Sequence, residues 1–190
     1  MAMKLLQTMR LTTLLACSLA FMPAHAVTQT RKFSTTGARL CTPSIPDPNA
    51  KARPKATGFR NEGTTNVFVI CGFDSNPGQS QVSVTESPGD PSLIALIFSS
   101  FDGQPHSISC TGVNSWPGGG EAAPMQYVQK VVFIDPPNDP FAYAEADWYP
   151  YDFGATNHIP TSGVFSVTCL LPPGAAILFG GVVGTEDVGN

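Results

Sequence analysis

The chain is short of charge, histidine, tryptophan and long apolar runs, and each shortage removes a class of function. Only 13% of its 190 residues are charged, with a balance of −4 at neutral pH. Its few basic residues are not interleaved with aromatics, so the footprint of a nucleic-acid binder is missing. Of three histidines, His25 falls in an N-terminal leader, and His106 and His158 fall in a turn and a loop, where a solvated ring is the simplest reading. No stretch beyond the N-terminus approaches about 18 consecutive apolar residues, so no later transmembrane helix is expected. The motifs G-x-S-x-G, H-E-x-x-H and G-x-x-x-x-G-K and a strand-following Rossmann glycine pattern are all lacking, so neither a catalytic residue nor a cofactor is assigned. Ser107 or Ser162 with His158 and Asp152 would make a Ser-His-Asp set only if the fold gathered them.

What is present first points outward. Lys4 and Arg10 form a basic region, Leu11 to Phe21 is a short apolar core, and Ala24-His25-Ala26 reads as an A-x-A cleavage site, giving a signal peptide over 1–26. The alternative is a lipoprotein signal cut before Cys17. Beyond it stand four cysteines, Cys41, Cys71, Cys110 and Cys169, an even number in an oxidising compartment, secreted or periplasmic. Three pairings are open. Cys41 with Cys71 and Cys110 with Cys169 is preferred, because both pairs then tie core-facing strands. No C-x-x-C occurs and the spacings are long, so no metal site is read from the cysteines.

Eighteen glycines and eighteen prolines punctuate many short strands. Val27 to Thr36 has no sustained period and reads as a flexible leader; 37–190 reads as one domain. Ser44 to Lys55 reads as a loop. Thr57 to Asn61 and Thr65 to Phe73 read as a pair through Glu62-Gly63-Thr64; both faces of the second are apolar, as in a central strand. Ser80 to Thr85 suggests an edge strand. Leu93 to Phe101 and Ser107 to Val113, joined through Asp102-Gly103, read as a hairpin. Tyr127 to Asp135 alternates. Val164 to Leu171 alternates with Phe165, Val167, Cys169 and Leu171 on one face, and Pro172-Pro173-Gly174 turns the chain into Ala175 to Val183 as a hairpin or sharp corner. About nine strands without a convincing helix give an all-β fold, a two-sheet antiparallel sandwich of Ig-like or jelly-roll type, with a closed barrel as the alternative.

Phe141 to Tyr149 carries good helix formers, but Pro140 and Pro150 bracket it. As a strand it places Ala142, Ala144, Ala146 and Trp148 inward and Tyr143, Glu145, Asp147 and Tyr149 outward. With Tyr151 and Trp116 in neighbouring loops, that outer face is the candidate binding patch: aromatic platforms beside carboxylate acceptors, suited to a sugar or a protein. Glu145 and Asp147 also have the spacing of a glycosidase pair, roughly 6.5 to 7 Å between α-carbons, although a solvated face is the plainer reading. Asp135, Asn138 and Asp139 crowd oxygen donors into a turn, as a calcium site or an ordinary turn would. Seven basic residues lie between Arg31 and Arg60 against Asp47 alone, while Lys130 is the single base after them. The N-terminal third is thus a solvated cationic arm or a contact for an acidic partner.

The signal peptide together with LCTP, NVFVICGF, SISCTG and VTCLLPPG resembles a group of small uncharacterised secreted β-sandwich proteins of Gram-negative bacteria. The resemblance implies a sandwich and transfers no catalytic residue. A fainter one, to fimbrial subunits, would imply an N-terminal arm that completes a neighbour's sheet. The chain lacks their penultimate tyrosine, and Val27 to Thr36 lacks a donor strand's apolar alternation. The expected function is a non-enzymatic module binding an envelope protein or glycan; the alternatives are a structural or pilus-like subunit and a small hydrolase.

Overall fold

A computed structural model describes residues 28–45, 51–74, 91–115, 125–136, 138, 143–157, 159 and 164–187. The signal peptide, Ser80 to Thr85, Trp116, Asp139 and His158 therefore lie outside the described residues. Eleven strands form two antiparallel sheets: β1 (Thr28–Thr36), β2 (Cys41–Pro43), β3 (Ala52–Lys55), β4 (Gly58–Asn61), β5 (Val67–Asp74), β6 (Pro91–Ser100), β7 (His106–Ser115), β8 (Gln126–Ile134), β9 (Tyr143–Trp148), β10 (Val164–Leu171) and β11 (Ala175–Asp187). The first sheet runs β3-β4-β11-β6-β9, with β1 also on β11, and the second runs β2-β5-β10-β7-β8. Their inner faces bury one apolar core, so the two-sheet sandwich stands and no closed barrel forms among the described residues. Both sheets lie in one compact unit, Gln29–Glu186.

Two expected pairings are corrected. Asp102-Gly103 joins β6 of the first sheet to β7 of the second, and Glu62-Gly63-Thr64 likewise joins β4 to β5. Neither link is a hairpin; each is a corner between sheets. Pro172-Pro173-Gly174 is the third, taking β10 into β11, so the corner reading of that turn holds. The physical reason is shared hydrogen bonding. Phe101 N–H donates to Gly174 C=O at 2.9 Å, and Gly174 N–H donates to Asn61 C=O at 3.0 Å. The fully buried Asn61 amide donates to the carbonyls of Thr65 and Leu171 at 2.8 and 2.9 Å and accepts from Gly63 N–H. The corners satisfy one another's backbone, which a free hairpin turn would leave to water.

Thr28–Thr36, read as a flexible leader, is a strand: its polar side chains are exposed because it lies on the outer edge of β11. It runs antiparallel to β11, since Phe33 approaches Gly181 and Gly37 approaches Ile177. Ala52–Lys55, read as loop, is β3, a short partner of β4. A single helical turn, α1 (Gly37–Leu40), links β1 to β2.

The disulfides join Cys41 to Cys71 and Cys110 to Cys169, the preferred pairing. In each pair the two residues face each other directly across neighbouring strands, with α-carbons 4.0 Å apart, the close approach of a non-hydrogen-bonded antiparallel site. Both crosslinks lie within the second sheet.

Trp148 decides how the sheets close on one side. It is fully buried, its indole N–H donates to Val128 C=O of β8 at 3.0 Å, and its ring meets Phe165 of β10 edge-on at 6.2 Å. The ring reaches across to the opposing sheet only because position 112 has no side chain: a Cβ there would strike Trp148 and Phe165. Phe165 also receives Phe73 and Phe153 edge-on, so it is the centre of the aromatic core.

Candidate functional site

The alternation of β9 sorts its side chains as the sequence implies. Ala146 and Trp148 are buried and Ala144 packs against the core, while Tyr143 and Glu145 are exposed and Asp147 is half-buried. Pro150, whose fixed φ suits a helix start, then opens the single 3₁₀ turn η1 (Pro150–Phe153), which Gly154 ends in the left-handed region at φ 72°. Asp152 anchors that turn twice, accepting from Tyr149 N–H at 2.9 Å and pairing with Lys130 of β8 at 2.7 Å. Phe153 plugs it into the core.

With the turn fixed, Tyr149 and Tyr151 stack across Pro150, ring centroids 5.2 Å apart and planes 10° from parallel. Tyr149 hydroxyl donates to Asp147 Oδ2 at 3.3 Å. The nearby Asp147 carboxylate, helped by partial burial, pushes the Tyr149 phenol above its ordinary range. Glu145 is pushed up as well, first by burial and then by the charge and hydrogen-bonding carboxylate of Asp147. Asp147 Oδ1 is buried and accepts no hydrogen bond from the protein.

Five proposed patch residues thus divide. Asp147, Tyr149 and Tyr151 come together with Glu145 at their edge. Tyr143, at the other end of β9, lies about 20 Å along the strand from Tyr149 and opposite Ser99 of β6. The sixth, Trp116, is outside the described residues. What the cluster offers is an open aromatic face on Tyr151, which is 69% exposed, beside carboxylate acceptors. That chemistry suits a hydroxyl-rich ligand, the ring taking an apolar sugar face and the carboxylates taking hydroxyls.

Several of the other sequence candidates have structural partners. His106, read as solvated, is only 10% exposed at its side chain and lies 2.8 Å from Asp102 Oδ1 through Nε2. Ser100 hydroxyl donates to that same oxygen at 2.8 Å, so carboxylate, not imidazole, faces the hydroxyl. Asp152 is committed to Lys130 and the turn. Asp135 accepts from the Asn138 amide at 2.6 Å, closing that turn on itself. In the cationic third, Arg53 and Lys55 both pair with Glu62, at 2.7 and 2.9 Å, and Arg60 lies over the Phe101 ring at 5.1 Å. A cavity of about 360 Å³ opens at the β4–β5 corner, between Ile45, Lys51, Thr65 and Phe68. It contains none of the proposed patch residues.

One surface was missed. β5 is central in its sheet, as its two apolar faces imply, but Phe68 and Ile70 on the outer face are 55% and 37% exposed. Across it run Phe68–Leu170–Ser109–Val131 and Ile70–Thr168–Thr111–Gln129. The signal was the apolar second face of β5 and the outward Tyr127, Val131 and Phe133 of β8.

No family model, curated protein or solved structure matches this chain.

Proposed function

We propose that this protein is a non-enzymatic, extracytoplasmic binding module whose ligand is a glycan of the cell envelope. The observation that carries the reading is the stacked Tyr149–Tyr151 pair held beside Asp147 and Glu145 by the Asp152–Lys130 anchor. Two disulfides suit an oxidising compartment, and among the described residues no helix is long and apolar enough to cross a membrane. The pilus-like alternative is weakened because β1 already pairs with β11 of its own chain. A hydrolase is weakened because Asp152, the acid of the one Ser-His-Asp set considered, is taken up by Lys130 and the Tyr149 N–H.

The test is capture of the oxidised protein on purified, protein-free envelope polysaccharide. The Tyr149→Ala, Tyr151→Ala double variant should bind at least about tenfold more weakly, while Tyr143→Ala stays near the parent. Equal capture of parent and double variant would remove the glycan reading.

A further inference from the structure

The outer face of the second sheet carries no charge among its described side chains, although the opposite sheet displays Arg53, Lys55, Glu145 and Asp147 outside its core. Its relief is ordered by column. Large residues stand on β5 (Phe68, Ile70) and on β8 (Tyr127, Val131, Phe133), and four of these five are more than half exposed. Between those columns lie β10 and β7, whose outward positions are mostly Ser and Thr: Ser166 and Thr168 beside Leu170 on one, Ser107, Ser109 and Thr111 on the other. Two ridges therefore flank a shallow trough.

We propose that this face binds a second copy of the chain, sheet against sheet, around a twofold axis lying along β10. Strand order fixes what such an axis superposes. Because β5 and β7 flank β10, the rotation sets the large residues of each β5 over the small residues of the other copy's β7. It also sets each β8 over the other β2, whose outward residue is Thr42. The β5 ridge thus meets the low β7 column, while the three-residue β2 lies opposite only part of β8, and the contact is isologous, as closed dimers require. Face-to-face sheets pack about 10 Å apart through such interdigitation.

Area and charge both favour a second copy. Five strands at about 4.8 Å spacing and about eight residues at about 3.3 Å rise give a projected face of roughly 600 Å². Two such faces remove roughly 1,200 Å² from water, at the lower bound of specific interfaces and above most incidental contacts. A charged partner would find no counter-charge among the described side chains of this face, and a second copy strands none among them. The dimer leaves Tyr149 and Tyr151, on the other sheet's edge, outside the interface, so it stands or falls separately from the glycan reading.

Sedimentation equilibrium of the oxidised protein over a dilution series tests this. The parent should show a reversible monomer–dimer equilibrium on the order of micromolar. Phe68→Lys and Val131→Lys, each at an exposed site outside the core, should weaken it by at least about tenfold, with thermal unfolding showing that both variants fold. Tyr151→Ala should leave it unchanged. A parent monomeric at every concentration overturns the proposal, as does a dimer indifferent to both lysines. So would a monomer in which the lysines abolish polysaccharide capture, which would assign the face to a glycan.

Discussion

The carboxylate of Asp102 occupies the space that a side chain on Gly174 would need. Gly174 holds φ 80°, and a Cβ built on it would run into Asp102 Oδ2. Two of the inter-sheet corners described above are thus locked together, one supplying the carboxylate and the other the vacancy. Gly174→Ala should destabilise the fold by about 2–4 kcal/mol, combining left-handed strain with displacement of the Asp102 network. Urea unfolding measures it; a change below about 1 kcal/mol would mean that the corners are not interlocked.

Asp102 should also confer acid sensitivity. Burial alone would raise its pKa, but hydrogen bonds from Gln104 N–H, His106 and Ser100 outweigh that and hold it below the usual carboxylate range. A lowered carboxylate contributes stability that is present above its unfolded pKa and lost as pH falls through the folded one. Asp102→Asn should flatten that acid limb of a stability–pH profile. An unchanged limb would place the acid sensitivity elsewhere.

Glu145 should act in the opposite sense. Its folded pKa is raised, so the unfolded chain ionises first and stability declines as pH climbs from the ordinary glutamate range to the raised value. Glu145→Gln should remove the decline and make the protein more stable at neutral pH. Matching profiles for parent and variant would count against strong Glu145–Asp147 coupling.

The Trp148 closure gives a packing prediction. Gly112→Ala places a methyl group against the indole and Phe165, an overpacking that should cost about 2–3 kcal/mol. Trp148→Phe should cost a comparable amount by emptying core volume and losing the indole N–H bond to Val128 C=O. Denaturation monitored by far-UV circular dichroism reads both; tolerance of Gly112→Ala would imply that the two sheet edges part readily.

The disulfides should differ only slightly in effect. They span 30 and 59 residues, and loop entropy assigns them about 3.6 and about 4.2 kcal/mol. Replacing the Cys110–Cys169 pair with alanines should therefore cost a little more than replacing Cys41–Cys71. Non-reducing peptide mapping must first recover both linkages.

Most strands were legible because burial leaves a period-2 trace, and β9 and β10 show it most cleanly in Ala146/Trp148 and Phe165/Val167/Cys169. β1 left none, since an edge strand with exposed side chains has no face to pattern. β3, ARPK, was too short and proline-bearing to register. The corners were misread for a different reason. Asp102-Gly103 and Glu62-Gly63-Thr64 are good turn sequences, but a local turn does not say whether the next strand returns to its own sheet or crosses to the other. The corners are instead tied by contacts distant in sequence, Asn61 to Leu171 and Gly174, and Gly174 to Phe101. Of the candidate site, the facing of Glu145 and Asp147 was readable from alternation, whereas the Tyr149–Tyr151 stack depends on the turn that Asp152 and Lys130 hold.

Both crosslinks run within one sheet, and all four cysteines sit on its inner face, none more than 7% exposed. Among the described residues no disulfide crosses the sandwich, so the sheets can part while both disulfides remain intact, and a reductant reaches the buried sulfurs once they do. The rate at which a large thiol reagent consumes these bonds is therefore a clock for sandwich opening.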